Sequence, residues 1–298
     1  MEAELADVII DAIRRLEVPC RVGHRFLLRC GLDDSSVMES VDRGSRFLLP
    51  YLTHCSVRRM MPWALMSFMV IGSFVKELMP PAATYLSNKR NVLNVYFVKF
   101  AWAWTFSLLL PFISLTNYSV LQNILPVLVR LFSLLVGTII WYICTSTFLL
   151  IQDFTGSCYK SSTLAVVTQE HANQLQCLQA GGIWQSFDIS GHSFLLSYCV
   201  LMILEEMAVM PSVKTFRGSR LHRVVNSLFL ALACLTFIWF FMLLTTAVYF
   251  HDFWDKIFGT LVGLSAWYGT YRFWYLSPLS PGLPPQRTLY FPKPNRRL

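Results

Sequence analysis

Two histidines have the sequence context best suited to chemistry. His192 follows Ser190 and Gly191 where one apolar segment begins, and His251 ends another apolar segment. At a helix N-terminus, free backbone N–H groups and the helix dipole favour an anion such as phosphate, so Ser190 and Gly191 are predicted to bind it. One histidine can then attack phosphorus while the other transfers protons. For either histidine alone, a polar cap on an apolar helix is the simpler interpretation.

Charged residues near the histidines would complete a site for phosphoryl transfer. Asp255 lies four residues after His251, and a carboxylate bonded to one ring nitrogen fixes the tautomer and raises the basicity of the other. Lys89 and Arg90 lie directly before another apolar segment, where they either clamp phosphate oxygens or anchor the helix. We predict that His251 attacks phosphorus with Asp255 holding its ring. His192 protonates the leaving oxygen and later activates water.

The cysteines and remaining histidines do not form a metal-binding pattern. The eight cysteines include no Cys-x-x-Cys spacing, and only His171 is an obvious third ligand beside the two histidines above. We therefore expect neither a metal nor another cofactor. Cys158 and Cys177 share one polar loop, and they can form a disulfide if that loop faces an oxidising compartment. Because sequence gives no Cα separation, two free thiols are the alternative.

The composition is that of a membrane protein. Of 298 residues, 55% are hydrophobic, 15% are aromatic and only 14% are charged, against roughly a quarter charged in typical soluble domains. This argues against a cytosolic enzyme, a disordered chain and a disulfide-rich secreted domain. The net charge of +8 lies mainly between the apolar segments, so it indicates topology rather than nucleic-acid binding.

Six apolar segments approach or exceed the roughly 20 residues of a membrane-spanning helix. Backbone groups in lipid must be satisfied internally, so the segments are predicted to be helices of an all-α polytopic membrane protein. The predicted spans are Met61–Val75, Val92–Leu115, Pro126–Ile151, Ile189–Met210, Val225–Phe250 and Ile257–Leu276. They form one domain, 61–276, in which Gly259 and Gly263 predict close packing of the sixth span. Residues 1–60, with an amphipathic helix predicted near the start, precede this domain, and a proline-rich tail over 277–298 follows it.

The distribution of lysine and arginine predicts the orientation of the spans. Eighteen of these residues, counting Arg272 near the end of the sixth span, lie on the side of the two chain ends, and five lie on the other side. The positive-inside rule therefore predicts that both termini are cytosolic. Loops 76–91, 152–188 and 251–256 then face the opposite compartment, together with both histidines.

Four charged residues, Lys99, Arg130, Glu205 and Glu206, fall well inside the predicted spans, and Arg272 lies near the end of the sixth. Such charges usually face protein or water. Two interpretations stay open. The charges line a lipid-accessible cavity, or Arg130 and Glu206 snorkel to the cytosolic interface.

Four stretches of the chain resemble the fat storage-inducing transmembrane proteins, and the second vertebrate paralogue in particular. The stretches are Tyr85–Lys99, Phe187–Leu196, Thr246–His251 and Ser280–Gln286. The resemblance implies a protein of the endoplasmic-reticulum membrane that supports lipid-droplet formation and binds di- and triacylglycerol. It also implies a lumenal diphosphatase that cleaves fatty acyl-CoA to acyl 4′-phosphopantetheine and adenosine 3′,5′-bisphosphate.

That family is in turn similar to the lipid phosphate phosphatases, which implies a related six-helix core. Their Pro-Ser-Gly-His motif corresponds to Ser190, Gly191 and His192, with isoleucine in place of proline, and their His-x-x-x-Asp corresponds to His251 and Asp255. Their Lys-x6-Arg-Pro motif is absent, so the cationic pair before the second span is assigned from this sequence alone. The alternative function is a non-catalytic protein that binds di- and triacylglycerol and partitions neutral lipid into droplets.

Overall fold

A computed structural model describes residues 34–79, 81–82, 84–159, 174–179, 181–216 and 219–285. The predicted N-terminal amphipathic helix, His171 and the end of the proline-rich tail lie outside these residues. The α-helices of the described chain are α1 (Asp34–Leu52), α2 (Cys55–Leu78), α3 (Ala101–Leu121), α4 (Ile124–Thr155), α5 (Gln174–Gln179), α6 (Gly191–Met207), α7 (Arg220–Tyr249) and α8 (Phe253–Trp267). The strands β1 (Ser157–Tyr159) and β2 (Ile183–Gln185) pair antiparallel.

Five helical stretches of the described residues are long and apolar enough to cross a membrane. They are Cys55–Leu78, Leu93–Leu121, Ile124–Thr155, Gly191–Ser212 and Arg220–Tyr249. The all-α polytopic membrane fold predicted from the sequence is therefore confirmed.

The predicted sixth span, Ile257–Leu276, is not one of these five. Its α-helical part, α8, has 15 residues and begins four residues earlier than predicted. The chain continues as a π-helix over Tyr268–Phe273 and a 3-10 turn over Trp274–Leu276. A regular span needs about 20 residues. Here α8 alone is shorter, and the segment reaches that length only together with the π-helix and the 3-10 turn.

Helix α6 lies at the centre of the bundle, with every residue from Ser193 to Met207 buried. Its sequence is apolar on all sides, which is typical of a helix surrounded by protein. Helix α8 packs against it as the predicted glycine face requires. A Cβ atom on Gly259 would lie 2.4 Å from the Ser190 carbonyl oxygen, and one on Gly263 would lie 2.2 Å from Ser197 Oγ. Only glycine permits this approach of the two helices.

Helix α1 packs against the first turns of α7 through a polar cluster. His222 Nε2 lies 2.8 Å from Asp42 Oδ1, and Asn226 Nδ2 donates a 2.7 Å hydrogen bond to the same oxygen. Ser45 Oγ donates a 3.2 Å bond to Asn226 Oδ1. The region before the first span therefore contributes a helix to the bundle.

A disulfide-linked hairpin leads into α6. Cys158 pairs with Trp184 across the two strands, and it is joined to Cys177 by a disulfide with a Cα separation of 5.7 Å. Helix α4 extends to Thr155, so the connection between α4 and α6 begins four residues later than predicted. The hairpin ends three residues before Asp188, which makes it a fixed support for the entry to α6.

A second polar cluster lies near the other end of α6. Arg130 donates hydrogen bonds of 2.7 and 2.6 Å to the two carboxylate oxygens of Glu206, and Tyr271 Oη donates a 2.6 Å bond to one of them. Arg130 also donates to the carbonyl of Gly282, which holds the start of the proline-rich tail against the bundle. Both charged side chains are buried, so the interpretation that they snorkel to the interface is wrong.

Candidate active site

The start of α6 is held by a dense set of hydrogen bonds around Ser190. The Ser190 Oγ accepts from Ser193 N at 3.3 Å and from Ser193 Oγ at 3.0 Å, which caps the helix. The Ser190 backbone N–H donates to the carbonyl of Asp255 at 3.1 Å, which joins α6 to α8. A Cβ atom on Gly191 would meet no atom within 4 Å. The first turn of α6, with His192, is therefore rigidly placed but not covered by protein at Gly191.

His251 occupies the corner between α7 and α8 in a strained conformation. Its φ of 46° lies in the left-handed region, which is costly for a residue with a side chain and is found most often at functional sites. Lys76 Nζ donates to the His251 carbonyl and lies 3.8 Å from the Asp252 carboxylate. The end of α2 thus fixes the corner that presents the His251 imidazole.

The carboxylate that orients His251 belongs to Asp188, so the assignment of that role to Asp255 is wrong. Asp188 Oδ2 lies 3.3 Å from His251 Nδ1. The hydrogen bond from His251 lowers the pKa of Asp188, with a further lowering from the charges of His251 and Lys89. Asp255 is buried three residues into α8, and its carbonyl accepts from Ser190. Its backbone positions α8 against the start of α6.

Two lysines supply positive charge to the histidines. Lys89, one of the two residues predicted to clamp phosphate, is exposed and interacts electrostatically with His192 and Asp188. Lys99 also acts on His192, although the sequence identifies it only as a charge within a span. Lys99 lies in a 3-10 turn that follows the π-helix Leu93–Phe97. Such irregular turns inside a helix are common at functional sites, and a lysine within an apolar run is the sequence signal for this one.

The loop that carries Lys89 is held by its own asparagines. Asn91 Nδ2 donates to the carbonyls of Leu86 and Asn88, and Asn94 Nδ2 donates 2.7 Å to the carbonyl of Lys89. The neighbouring Arg90 is exposed, and its backbone N–H donates to Asn88 Oδ1 at 2.9 Å. These bonds fix the backbone at Lys89, and the side chains of Lys89 and Arg90 are both exposed.

Lys256, which the charge pattern places on the same side, has a structural role. It is fully buried, and its Nζ donates a 2.7 Å hydrogen bond to the carbonyl of Ala247 near the end of α7. Such a bond satisfies a carbonyl that the helix leaves without a partner.

In the described part of the chain, no group of three or more His, Cys, Asp and Glu side chains is arranged to hold a metal ion.

His192, the His251–Asp188 pair and the two lysines lie at one end of the spanning helices. Fold and site together define a polytopic membrane protein with an imidazole pair suited to phosphoryl chemistry. The chain belongs to the fat storage-inducing transmembrane protein (FIT) family, whose model matches residues 82–231 and 212–271.

Curated relatives agree with that assignment. The chain is 59% identical over 249 residues to acyl-coenzyme A diphosphatase FITM2 of Mus musculus and of Homo sapiens, an alignment that covers 84% of this chain and 95% of each relative. It is 33% identical over 239 residues to human fat storage-inducing transmembrane protein 1, which covers 80% of both chains. No solved structure matches the chain.

Proposed function

We propose that this chain is a diphosphatase of the endoplasmic-reticulum membrane that cleaves fatty acyl-CoA to acyl 4′-phosphopantetheine and adenosine 3′,5′-bisphosphate, and that this activity supports lipid-droplet formation. The observation that carries the proposal is that the His251–Asp188 pair lies at the entry to α6, whose second residue is His192. The FITM2 relatives, which are named acyl-coenzyme A diphosphatases, support this choice of substrate.

In the proposed mechanism, each imidazole carries out a separate step. Because His251 Nδ1 faces Asp188, its proton stays on that nitrogen and Nε2 is the nucleophile. Nε2 attacks one phosphorus of the anhydride and forms a P–N bond, while the bridging P–O bond breaks and His192 protonates the leaving oxygen. His192 then removes a proton from water, which attacks the same phosphorus and releases His251.

Positive groups around the attacked phosphorus stabilise the charge of the transition state. Lys89 and Lys99 act on the histidine cluster from the entry to α3, and the first backbone N–H groups of α6 lie beside Gly191. These groups bind the non-bridging oxygens, which gain charge as the bond to the leaving group breaks. The acyl chain of the substrate stays in the membrane beside the spans.

The proposed topology puts both termini in the cytosol and the histidines in the lumen. The charge bias of the sequence supports this orientation. The Cys158–Cys177 disulfide lies in the connection that leads to His192, and disulfides persist in the oxidising lumen of the endoplasmic reticulum.

Hydrolysis by the purified protein tests the proposed function. Wild-type protein in defined detergent should release adenosine 3′,5′-bisphosphate from oleoyl-CoA, and His192→Ala and His251→Ala should each lose nearly all of that activity. His54→Ser is the matched control, because His54 caps α2 outside the site and serine preserves a capping side chain. Equal rates for the two alanine variants and wild type would overturn the catalytic assignment.

The second candidate function is the binding of di- and triacylglycerol without hydrolysis. A membrane-facing groove of about 420 Å³ between α4 and α8 favours it, because its lining is almost wholly apolar and includes Ile140, Ile143, Phe258 and Val262. This function predicts that His192→Ala still binds triolein and restores droplets in deficient cells. Val262→Trp, which fills the groove, should reduce triolein binding while hydrolysis of oleoyl-CoA continues.

A further inference from the structure

A cavity of about 740 Å³ lies between the first turns of α2 and the last part of α8. It is at the end of the bundle that carries Glu205, far along α6 from His192, and it takes no part in the proposed hydrolysis. We call it the arginine groove. Its lining comprises Cys55, Arg58, Arg59, Pro62, Trp63, Leu261, Leu264, Ser265, Trp267, Tyr268, Gly269 and Arg272.

The rim of the arginine groove carries surplus positive charge. Arg58 and Arg272 both bind the buried Glu205 carboxylate, at 2.9 and 2.5 Å, and the Arg272 side chain remains 35% exposed. Arg59 adds a third, exposed guanidinium. None of the described residues that line the groove is acidic. An anion at the rim would balance this charge, and guanidinium groups bind phosphate oxygens in pairs.

The remainder of the groove is mostly apolar and runs along α2 and α8 away from the rim. Leu261 lies eleven residues before Arg272 on α8 and its π-helical continuation, which corresponds to a depth of roughly 16 Å at 1.5 Å per residue. Trp63 and Leu264 line the walls of that path. The Arg272 guanidinium lies 4.9 Å from the centre of the Trp267 ring, a cation–π contact that holds it at the rim.

We propose that the arginine groove binds an anionic phospholipid from the leaflet at this end of the bundle. The headgroup phosphate contacts Arg59 and Arg272, and one acyl chain follows Leu264 and Leu261 into the membrane. A neutral acylglycerol has no anion for the rim, and a zwitterionic lipid adds a cation beside three arginines. A soluble anion such as a nucleotide would leave the apolar walls without a partner.

Lipid retention measured by native mass spectrometry tests this proposal. The full-length protein is reconstituted with equal amounts of phosphatidylglycerol and phosphatidylcholine, plus dioleoylglycerol, and is then extracted in mild detergent. Phosphatidylglycerol should be retained several-fold over the other two. Arg59→Gln should bring the ratio close to one, and Lys214→Gln, which removes an exposed cation at the same end of the bundle, should not change it.

A second variant removes the groove without removing charge. Because a Cβ atom on Gly269 would meet no atom within 4 Å, Gly269→Leu extends into the groove without displacing protein, and it should abolish retention of phosphatidylglycerol.

The free thiol of Cys55 in the lining should react several-fold more slowly with maleimide when phosphatidylglycerol is bound, relative to the exposed thiol of Cys234. Equal retention of all three lipids by wild type, or unchanged preference in both variants, would overturn the proposal. Hydrolysis of oleoyl-CoA is expected to be normal in Arg59→Gln, so failure here and failure of the proposed function are distinguishable.

Discussion

The two ends of the central helix α6 both carry charged clusters, but the clusters are built for different purposes. At the histidine end, the paired side chains of His251 and Asp188 are 21% and 49% exposed and meet at 3.3 Å. At the arginine end, Arg130 and Glu206 are 4% and 1% exposed and meet at 2.6 Å. The first cluster is open to a ligand, and the second is closed by protein.

Both ends contain irregular backbone, and at the arginine end it is the π-helix Tyr268–Phe273. His251 adopts a left-handed φ, and the chain near Lys99 departs from regular α-helix. At the arginine end, the buried carboxylates join separate helices, since Glu205 and Glu206 contact residues from α2, α4 and the π-helix that follows α8. Buried ion pairs contribute little net stability but are costly to break. We infer that the arginine end fixes the helix arrangement on which the histidine end depends.

The largest expected effect is the loss of turnover in the histidine variants, and the covalent intermediate distinguishes the roles of the two histidines. His192→Ala should slow turnover by about 10²–10⁴-fold, the usual contribution of general acid–base catalysis, but it should still form the P–N bond to His251. Alkaline quenching after a single turnover of labelled oleoyl-CoA should recover labelled protein from His192→Ala. The double variant with His251→Ala should give none. Label in the double variant would assign the nucleophile to another residue.

Breaking the buried Arg130–Glu206 pair should lower the stability of the fold rather than the rate of hydrolysis. Glu206→Gln leaves the buried Arg130 guanidinium without its carboxylate, which costs about 3–5 kcal/mol. A lower melting temperature in detergent would measure this loss, whereas hydrolysis per folded molecule should be close to wild type. The paired variant Arg130→Met with Glu206→Leu should recover much of the stability. A stable but inactive Glu206→Gln protein would contradict the division between the two ends.

Much of this arrangement is predictable from the sequence, because helices and helix ends leave local signals. The apolar runs identify the five spans, and the setting of His192 after Ser190 and Gly191 identifies a capped helix start. The spacing of Gly259 and Gly263 likewise predicts close packing of α8 against a neighbour, which the structure identifies as α6.

Partners brought together by tertiary packing leave no such signal. Asp188 and His251 are far apart in sequence, so the sequence favours the nearer Asp255 as the carboxylate that orients His251. In the structure Asp188 takes that position, and the Asp255 carbonyl accepts a hydrogen bond from Ser190. Lys99 was recognisable only as an unusual charge, because its approach to His192 depends on the irregular turns before α3. The pairing of Glu206 with Arg130 likewise depends on two helices meeting.

Two carboxylate variants test the corrected assignment within the histidine end. Asp188→Asn removes the charge that fixes the His251 tautomer, and it should reduce kcat on the order of 10–100-fold, the usual cost of losing a partner that orients a functional histidine. Asp255→Asn keeps the backbone bond to Ser190 and should reduce kcat much less. Steady-state hydrolysis of oleoyl-CoA measures both, and the reverse order would restore Asp255 as the orienting residue.

The smallest expected effect concerns the open first turn of α6. Gly191→Ala adds a methyl group that meets no protein atom within 4 Å, and alanine is a better helix former than glycine, so the melting temperature should stay equal or rise slightly. Hydrolysis should nevertheless fall several-fold if substrate phosphate approaches the backbone here. Gly259→Ala is the matched control, because its Cβ would lie 2.4 Å from the Ser190 carbonyl oxygen and should cost about 1–3 kcal/mol of stability. Full activity in Gly191→Ala would move the phosphate away from the α6 N-terminus and leave the lysines as its main ligands.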